Sequence, residues 1–239
     1  MPVSSLFSPY SPLSRFLGKL ADLMILNLLF IATSLPIVTL GASLTALHDT
    51  AMRLVTDECD SVSKRYLDTF RANLKQGTIL GLACLGLLAV VGAWWVVAEN
   101  LNVSTPVRVA LWVAVILFGV RVISTVMFVF PYQATFENTP LEVLNTSRRL
   151  SARHPISSLT VALVTVLAVM VSIWYPIVVG WGIAWLAFGF AAVAFLNSIT
   201  FVQVFRRYGA FPEPGPDTFE SVPDPRHPPK DLPHAHPPR

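Results

Sequence analysis

His48, Asp49 and Arg53 are the residues best placed to do chemistry, because they interrupt a stretch that otherwise reads as membrane. His48 and Asp49 are adjacent, so on a helix their side chains point about 100° apart and do not make one relay. Asp49 and Arg53 are four apart and share a face, which suits an ion pair. That pair has two readings: a structural pair satisfied in place, or a site for a solute or a proton. Arg121 is the sharper case. It lies about ten residues, or ~15 Å, inside its own apolar helix. Central insertion of an arginine costs about 2.5–3.5 kcal/mol, whereas one polar coupling in a membrane returns only about 0.6. Arg121 is therefore expected to face the bundle interior and bond another helix, with Asn197 as first partner and Asn27 as second.

Other chemistries lack their residues. There is no nucleotide-binding loop, no zinc-binding helix motif and no nucleophile elbow. The chain is expected not to be an enzyme and to need no cofactor or metal. Cys59 and Cys84 make no metal spacing and no disulfide framework, so both read as reduced and structural. His227, His234 and His236 lie in a proline-crowded tail that offers no fixed ligand geometry, and an inert polar tail is the better reading. The small net charge of +3 gives no reason to expect a nucleic-acid partner.

The elements that must position these residues are membrane helices. Over 239 residues, 54% are hydrophobic and 13% charged, and the mean hydropathy is +0.60. Apolar runs of about 20 residues, enough for a ~30 Å core, set the class. The fold expected is an all-α polytopic bundle of five to six membrane helices, joined by two cytoplasmic amphipathic helices. Residues 1–14 read as a flexible lead-in with no cleavable signal, 15–208 as the membrane domain, and 209–239 as a disordered proline- and histidine-rich tail.

Within that domain the stretch from Leu20 to Leu47 opens as a helix and breaks at Pro36. Thr39 is expected to accept N–H bonds as the N-cap of the next helix, where Gly41 permits close packing. From Ser61 to Gln76, apolar residues recur every fourth position among Lys64, Arg65, Arg71 and Lys75, which predicts an interfacial helix. Gly77 to Ala98 and Val107 to Phe130 read as a membrane hairpin, with Pro131 as the stop. Gly77 and Gly81 would let two helices of the chain touch. Thr139-Pro140-Leu141-Glu142 is a capping box opening a short helix that His154-Pro155 ends. Ile156 to Tyr175 and Val178 to Gln203 form the last hairpin.

Orientation follows from charge. Arg53, Lys64, Arg65, Arg71, Lys75, Arg148, Arg149, Arg153, Arg206 and Arg207 fall in loops on one side, and Arg108 alone faces them. The positive-inside rule makes the basic side and the C-terminus cytoplasmic, and the six tryptophans cluster toward the other side. A single crossing by Leu20 to Leu47 would leave Arg15 and Lys19 outside. A hairpin turning at Pro36 near the outer face keeps them inside and is favoured.

Three strings carry a resemblance. SLPIVTLGASLTAL, followed by RYLDTFRANLKQG, and then FPYQATFENTPLEVLNTSRRLSARHP, resemble the YesL-type family of bacterial polytopic membrane proteins. Together they span about Arg15 to Gln203. The resemblance implies a bacterial inner-membrane protein with an accessory or regulatory part in carbohydrate uptake. It implies no catalytic residues. Partners are then the lipid bilayer and transporter subunits docked through the amphipathic helices. The alternative is a small solute carrier or channel using the polar groups buried in the bundle.

One prediction tests the orientation. In a background without Cys59 and Cys84, a cysteine at Arg149 should resist an impermeant thiol reagent in intact cells and react after permeabilisation. Ready labelling of intact cells would reverse the topology.

Overall fold

The computed structural model describes residues 12–174 and 182–211. Among the described residues the chain forms seven α-helices and no strand. They are α1 (Pro12–Ser34), α2 (Leu40–Val55), α3 (Val62–Asn100), α4 (Thr105–Thr135), α5 (Pro140–Arg153), α6 (Pro155–Trp174) and α7 (Phe190–Arg206). A 3-10 turn, Ile37–Thr39, precedes α2, and a π-helical turn, Trp185–Gly189, leads into α7. The architecture is an all-α helical bundle. Five segments are long and apolar enough to cross a bilayer: Phe16–Ser34, Val62–Asn100, Thr105–Thr135, Pro155–Trp174 and Trp185–Arg206. They are compatible with a multi-pass membrane protein. At 16 residues, α2 is not among them.

The break at Pro36 makes a hairpin. Thr39 Oγ1 donates to Thr33 O at 2.7 Å across the turn, while at the other end Lys19 Nζ lies 2.9 Å from Asp57 Oδ1. Thus α1 and α2 run antiparallel, and the beginning of one lies beside the end of the other. Thr39 occupies the N-cap position of α2 but does not act as the expected acceptor. Its hydroxyl donates to Thr33 O and to Pro36 O, and it makes no cap bond. The reason is local. Capping needs an extended backbone at this position, and the 3-10 turn holds Thr39 at φ −87°, ψ −3°.

The short α2 is wedged onto α3 by missing side chains. A Cβ on Gly41 would stand 2.0 Å from Gly77 O and 2.8 Å from Gly81 Cα, and one on Gly77 would stand 2.7 Å from Ala42 Cα. Backbone touches backbone here, and most of α2 is buried as a result. The same contact explains why no break occurs at Gly77. The interfacial helix and the membrane helix expected on either side of it are one continuous helix of 39 residues. So α5 is the only separate amphipathic connector among the described residues.

Pro131 does not stop α4 either. The helix runs four residues further, to Thr135, and ends where Phe136 turns extended at φ −124°, ψ 133°. Proline removes one N–H from the ladder, a loss that packing offsets in apolar surroundings. Phe128, Val129, Phe130 and Pro131 are all buried there. The capping box of α5 forms as read, with Thr139 N donating to Glu142 Oε2 at 2.9 Å. That backbone bond holds the Glu142 carboxyl below its usual range. A depressed carboxylate adds stability above its unfolded pKa, so the box weakens as pH falls through the acid range.

The basic residues gather at one end of the bundle. Phe205, near the end of α7, packs on Tyr132 and Phe136 at the end of α4, and His154 bonds Tyr208 at 3.0 Å. At the far end of the α3–α4 pair, Trp95 and Trp112 meet edge to face at 4.2 Å. Two expected boundaries move. Helix α1 begins at Pro12, inside the supposed lead-in, and Ala210 and Phe211 pack onto the cluster of Met52, Phe201 and Phe205, past the expected limit at Tyr208. Residues 1–11, the expected turn at Tyr175 to Gly180 and the remaining tail lie outside the described residues.

Adding a side chain at the α2–α3 contact should unfold the chain locally. Gly41→Val is expected to cost at least the ~1–3 kcal/mol typical of overpacking, because the obstacle is backbone rather than a flexible tip. Gly86→Ala, with nothing within 4 Å, should stay within about 0.5 kcal/mol of the parent. Thermal unfolding of the detergent-solubilised chain measures both, and equal melting of the two variants would refute the contact.

Candidate functional site

Asp49 is the hub of the charged groups. Its side chain is 4% exposed, yet four donors surround it. Arg65 grips it with both arms, Nε to Oδ2 at 2.6 Å and Nη2 to Oδ1 at 2.8 Å. Thr69 donates to Oδ2 at 2.8 Å, and Arg53 Nε stands more loosely at 3.4 Å from Oδ1. Arg65 and Thr69 are one turn apart on α3, so the antiparallel packing of α3 on α2 brings both onto the carboxylate. The expected Arg53 partner is therefore the weaker one, since Arg53 also reaches Glu58 at 3.5 Å. A buried carboxylate held by a bidentate guanidinium and a hydroxyl has its acceptor sites filled. That makes it a structural knot.

From this knot a chain of amides crosses to α4. Asn73 donates to Thr69 O at 3.0 Å and accepts from Gln133 Nε2 at 3.3 Å. Thr45 Oγ1 lies 3.0 Å from Gln133 Oε1, and Gln76 Nε2 donates to Asn138 O at 2.6 Å. Around these groups opens a polar cleft of about 680 Å³, lined by Arg53, Arg65, Asp68, Asn73, Gln76 and Glu137 among others. Its charges are mixed in sign and interspersed with amides. Such a surface suits a polar partner group of low net charge.

The remaining candidates lie elsewhere. Asn27 is fully buried and clamps the π-helical turn: Nδ2 donates to Trp185 O (2.9 Å) and Leu186 O (2.8 Å), and Oδ1 accepts from Ala191 N (3.0 Å). A π turn displaces the ordinary ladder, and this one side chain satisfies two of its carbonyls and the Ala191 N–H at the start of α7. Arg121 bonds neither asparagine. Its Nη1 donates to Ser151 Oγ at 2.9 Å and its Nη2 to Arg148 O at 2.5 Å. Both partners lie toward the C-terminal end of α5, the negative end of its helix dipole, which is where a guanidinium is favoured. The expectation weighed only asparagines on membrane helices, whereas the partners are a serine hydroxyl and a backbone carbonyl of α5, and a carbonyl leaves no mark in the sequence.

His48 and Asn197 share a second space. An apolar cavity of about 340 Å³ lies between α1, α2, α4, α6 and α7, lined by residues such as Phe30, Leu47, Phe130 and Phe201, with His48, Thr165 and Asn197 as its hydrogen-bonding side chains besides Trp185. The Trp185 N–H is committed to Ser172 at 2.7 Å. No group of three or more potential metal ligands occurs among the described residues. Both Cys59 and Cys84 are free thiols. Sequence reading missed Arg65, Thr69, Asn73 and Gln133. The first three fall on one helical face at positions 65, 69 and 73, the sole signal that could have grouped them.

The class defined by this geometry is an all-α bundle with membrane-length helices and a polar knot between two of them. A family model described as "Protein of unknown function, DUF624" matches residues 23–95, from within α1 to within α3. The matched span holds the Pro36 turn, the Gly41–Gly77 contact and the Asp49–Arg65–Thr69 knot. No curated protein and no solved structure matches the chain.

A double-mutant cycle ranks the two arginines. Coupling of Asp49→Asn with Arg65→Gln is expected at about 1.5–3 kcal/mol, the range of a hydrogen bond to a charged group. Coupling of Asp49→Asn with Arg53→Gln should be about 0.3–0.5 kcal/mol, that of an i,i+4 pair. Unfolding free energies in detergent supply both values, and equal couplings would dismantle the hub.

Proposed function

We propose that the chain is a YesL-type accessory protein of the bacterial inner membrane, without catalytic activity of its own. It serves a carbohydrate uptake system by docking transporter subunits at its basic, cytoplasmic end. The observation that supports this reading is the separation of the two spaces. The polar cleft and the apolar cavity share no lining residue, and the cleft sits where the basic ends of α2 and α3 meet the end of α4. A carrier for polar solutes needs hydrogen-bonding groups along its route. Here they collect at one end and give way to phenylalanine, leucine and valine inside. The sugar connection rests on the resemblance of the quoted strings. The orientation rests on the positive-inside rule.

Two measurements test the proposal. Liposomes holding the purified chain alone should take up labelled glucose, maltose or xylobiose no faster than empty ones. Deleting the chain from its host should slow uptake of at least one oligosaccharide, and Asn73→Trp, which obstructs the cleft, should reproduce the deletion at unchanged membrane abundance. Flux through the chain alone would replace the accessory reading with a carrier. Unaltered uptake across an oligosaccharide panel after deletion would remove the carbohydrate role.

A further inference from the structure

Two side chains that line the apolar cavity each keep a buried polar atom with no partner. Asn197 is 5% exposed and its Oδ1 is unbonded, and His48 Nδ1 is likewise buried and unbonded. The amide orientation is fixed by its neighbour. Thr165 spends its one hydroxyl proton on Val161 O at 2.9 Å, so toward Asn197 it can only accept, and Asn197 Nδ2 donates to it at 3.2 Å. The carbonyl end of Asn197 is thus left free. His48 approaches the same region: its ring stands edge-on, 5.7 Å away, to Phe201, one turn from Asn197. Leaving such groups unpaired costs about 1–3 kcal/mol each.

We propose that this cavity binds a single-chain amphiphile with a hydroxyl head, drawn from the bilayer. The hydroxyl donates to Asn197 Oδ1. Having given its one proton to Asn197, the hydroxyl can only accept, which suits His48 in the tautomer that carries its proton on Nδ1. The chain fills the apolar remainder. At ~30 Å³ per water-sized unit, the cavity volume corresponds to about ten non-hydrogen atoms, the size of a medium-length alkyl chain. Water fills little of this volume, since each molecule needs about two to four polar partners and most of the lining is apolar. Four of the five walls are helices of membrane-crossing length, which makes the bilayer the nearest reservoir. The site is separate from the docking cleft, and the proposal does not depend on the accessory role.

The test uses the full chain in nanodiscs of dioleoylphosphatidylcholine, a lipid without a hydroxyl donor. The probe is octanol carrying a mid-chain diazirine, compared with the same diazirine on octane. The alcohol should label peptides from α2 and α6 saturably, unlabelled octanol should compete, and the alkane should label about tenfold less at equal concentration. Asn197→Leu should reduce alcohol labelling to the alkane's level without lowering the melting temperature. Val193→Trp, which fills the cavity from its wall, should abolish labelling by both probes and decides the matter if the leucine variant fails to fold. Equal labelling by alcohol and alkane, labelling that does not saturate, or labelling that survives Val193→Trp would each overturn the proposal.

Discussion

Everything in the basic half of this bundle depends on the backbone contact of Gly41 with Gly77 and Gly81. A helix of 16 residues has little to hold it in place by itself, and in apolar surroundings no hydrophobic drive presses two helices together. Van der Waals contact must do it, and that requires the axes to come close. The glycines permit this approach. Once α2 lies on α3, Asp49 falls opposite Arg65 and Thr69, and Thr45 falls opposite Gln133 of α4. The polar knot is therefore a consequence of the packing.

The knot in turn shows what buried polarity does here. Asp49 is almost fully buried, and its oxygens are occupied by a bidentate arginine and a hydroxyl. Asn27 is spent on the backbone of the π-helical turn, and Arg121 on the end of α5. Each of these would be costly alone at such a position, and each is compensated by a geometry that also fixes one helix against another. Five buried side-chain atoms among the described residues have no partner, on His48, Thr50, Ser147, Asn197 and Arg206, and of these residues only His48 and Asn197 line the apolar cavity. That makes the inner cavity the place to look for a ligand.

The cleft and the cavity divide the molecule by chemistry. At the basic end, arginines, carboxylates and amides alternate around open space, which suits a hydrated partner. Inside, the lining is aliphatic and aromatic, which suits a lipid-like one. Because the two have no wall in common, a molecule held in one has no polar route into the other. A docking protein needs no such route.

Much of this was legible in the chain itself. Apolar runs of membrane length, the Pro36 break, the Thr139–Glu142 capping box and the Gly77–Gly81 spacing are local patterns, and local physics is enough to read them. Local rules failed where packing outweighed propensity: Gly77 and Pro131 read as breaks, yet both sit inside helices because their neighbours hold the backbone. Partner choice lay further out of reach. Asp49 and Arg53 are four residues apart, so the sequence offers that pair, but the dominant partner Arg65 is 16 away, across a helix crossing. Arg121 found a backbone carbonyl, and every residue has one of those. The sequence by itself determined which groups had to be paired, because burial of charge is costly wherever it occurs. Only the tertiary structure decided with what, because pairing depends on where separate helices cross.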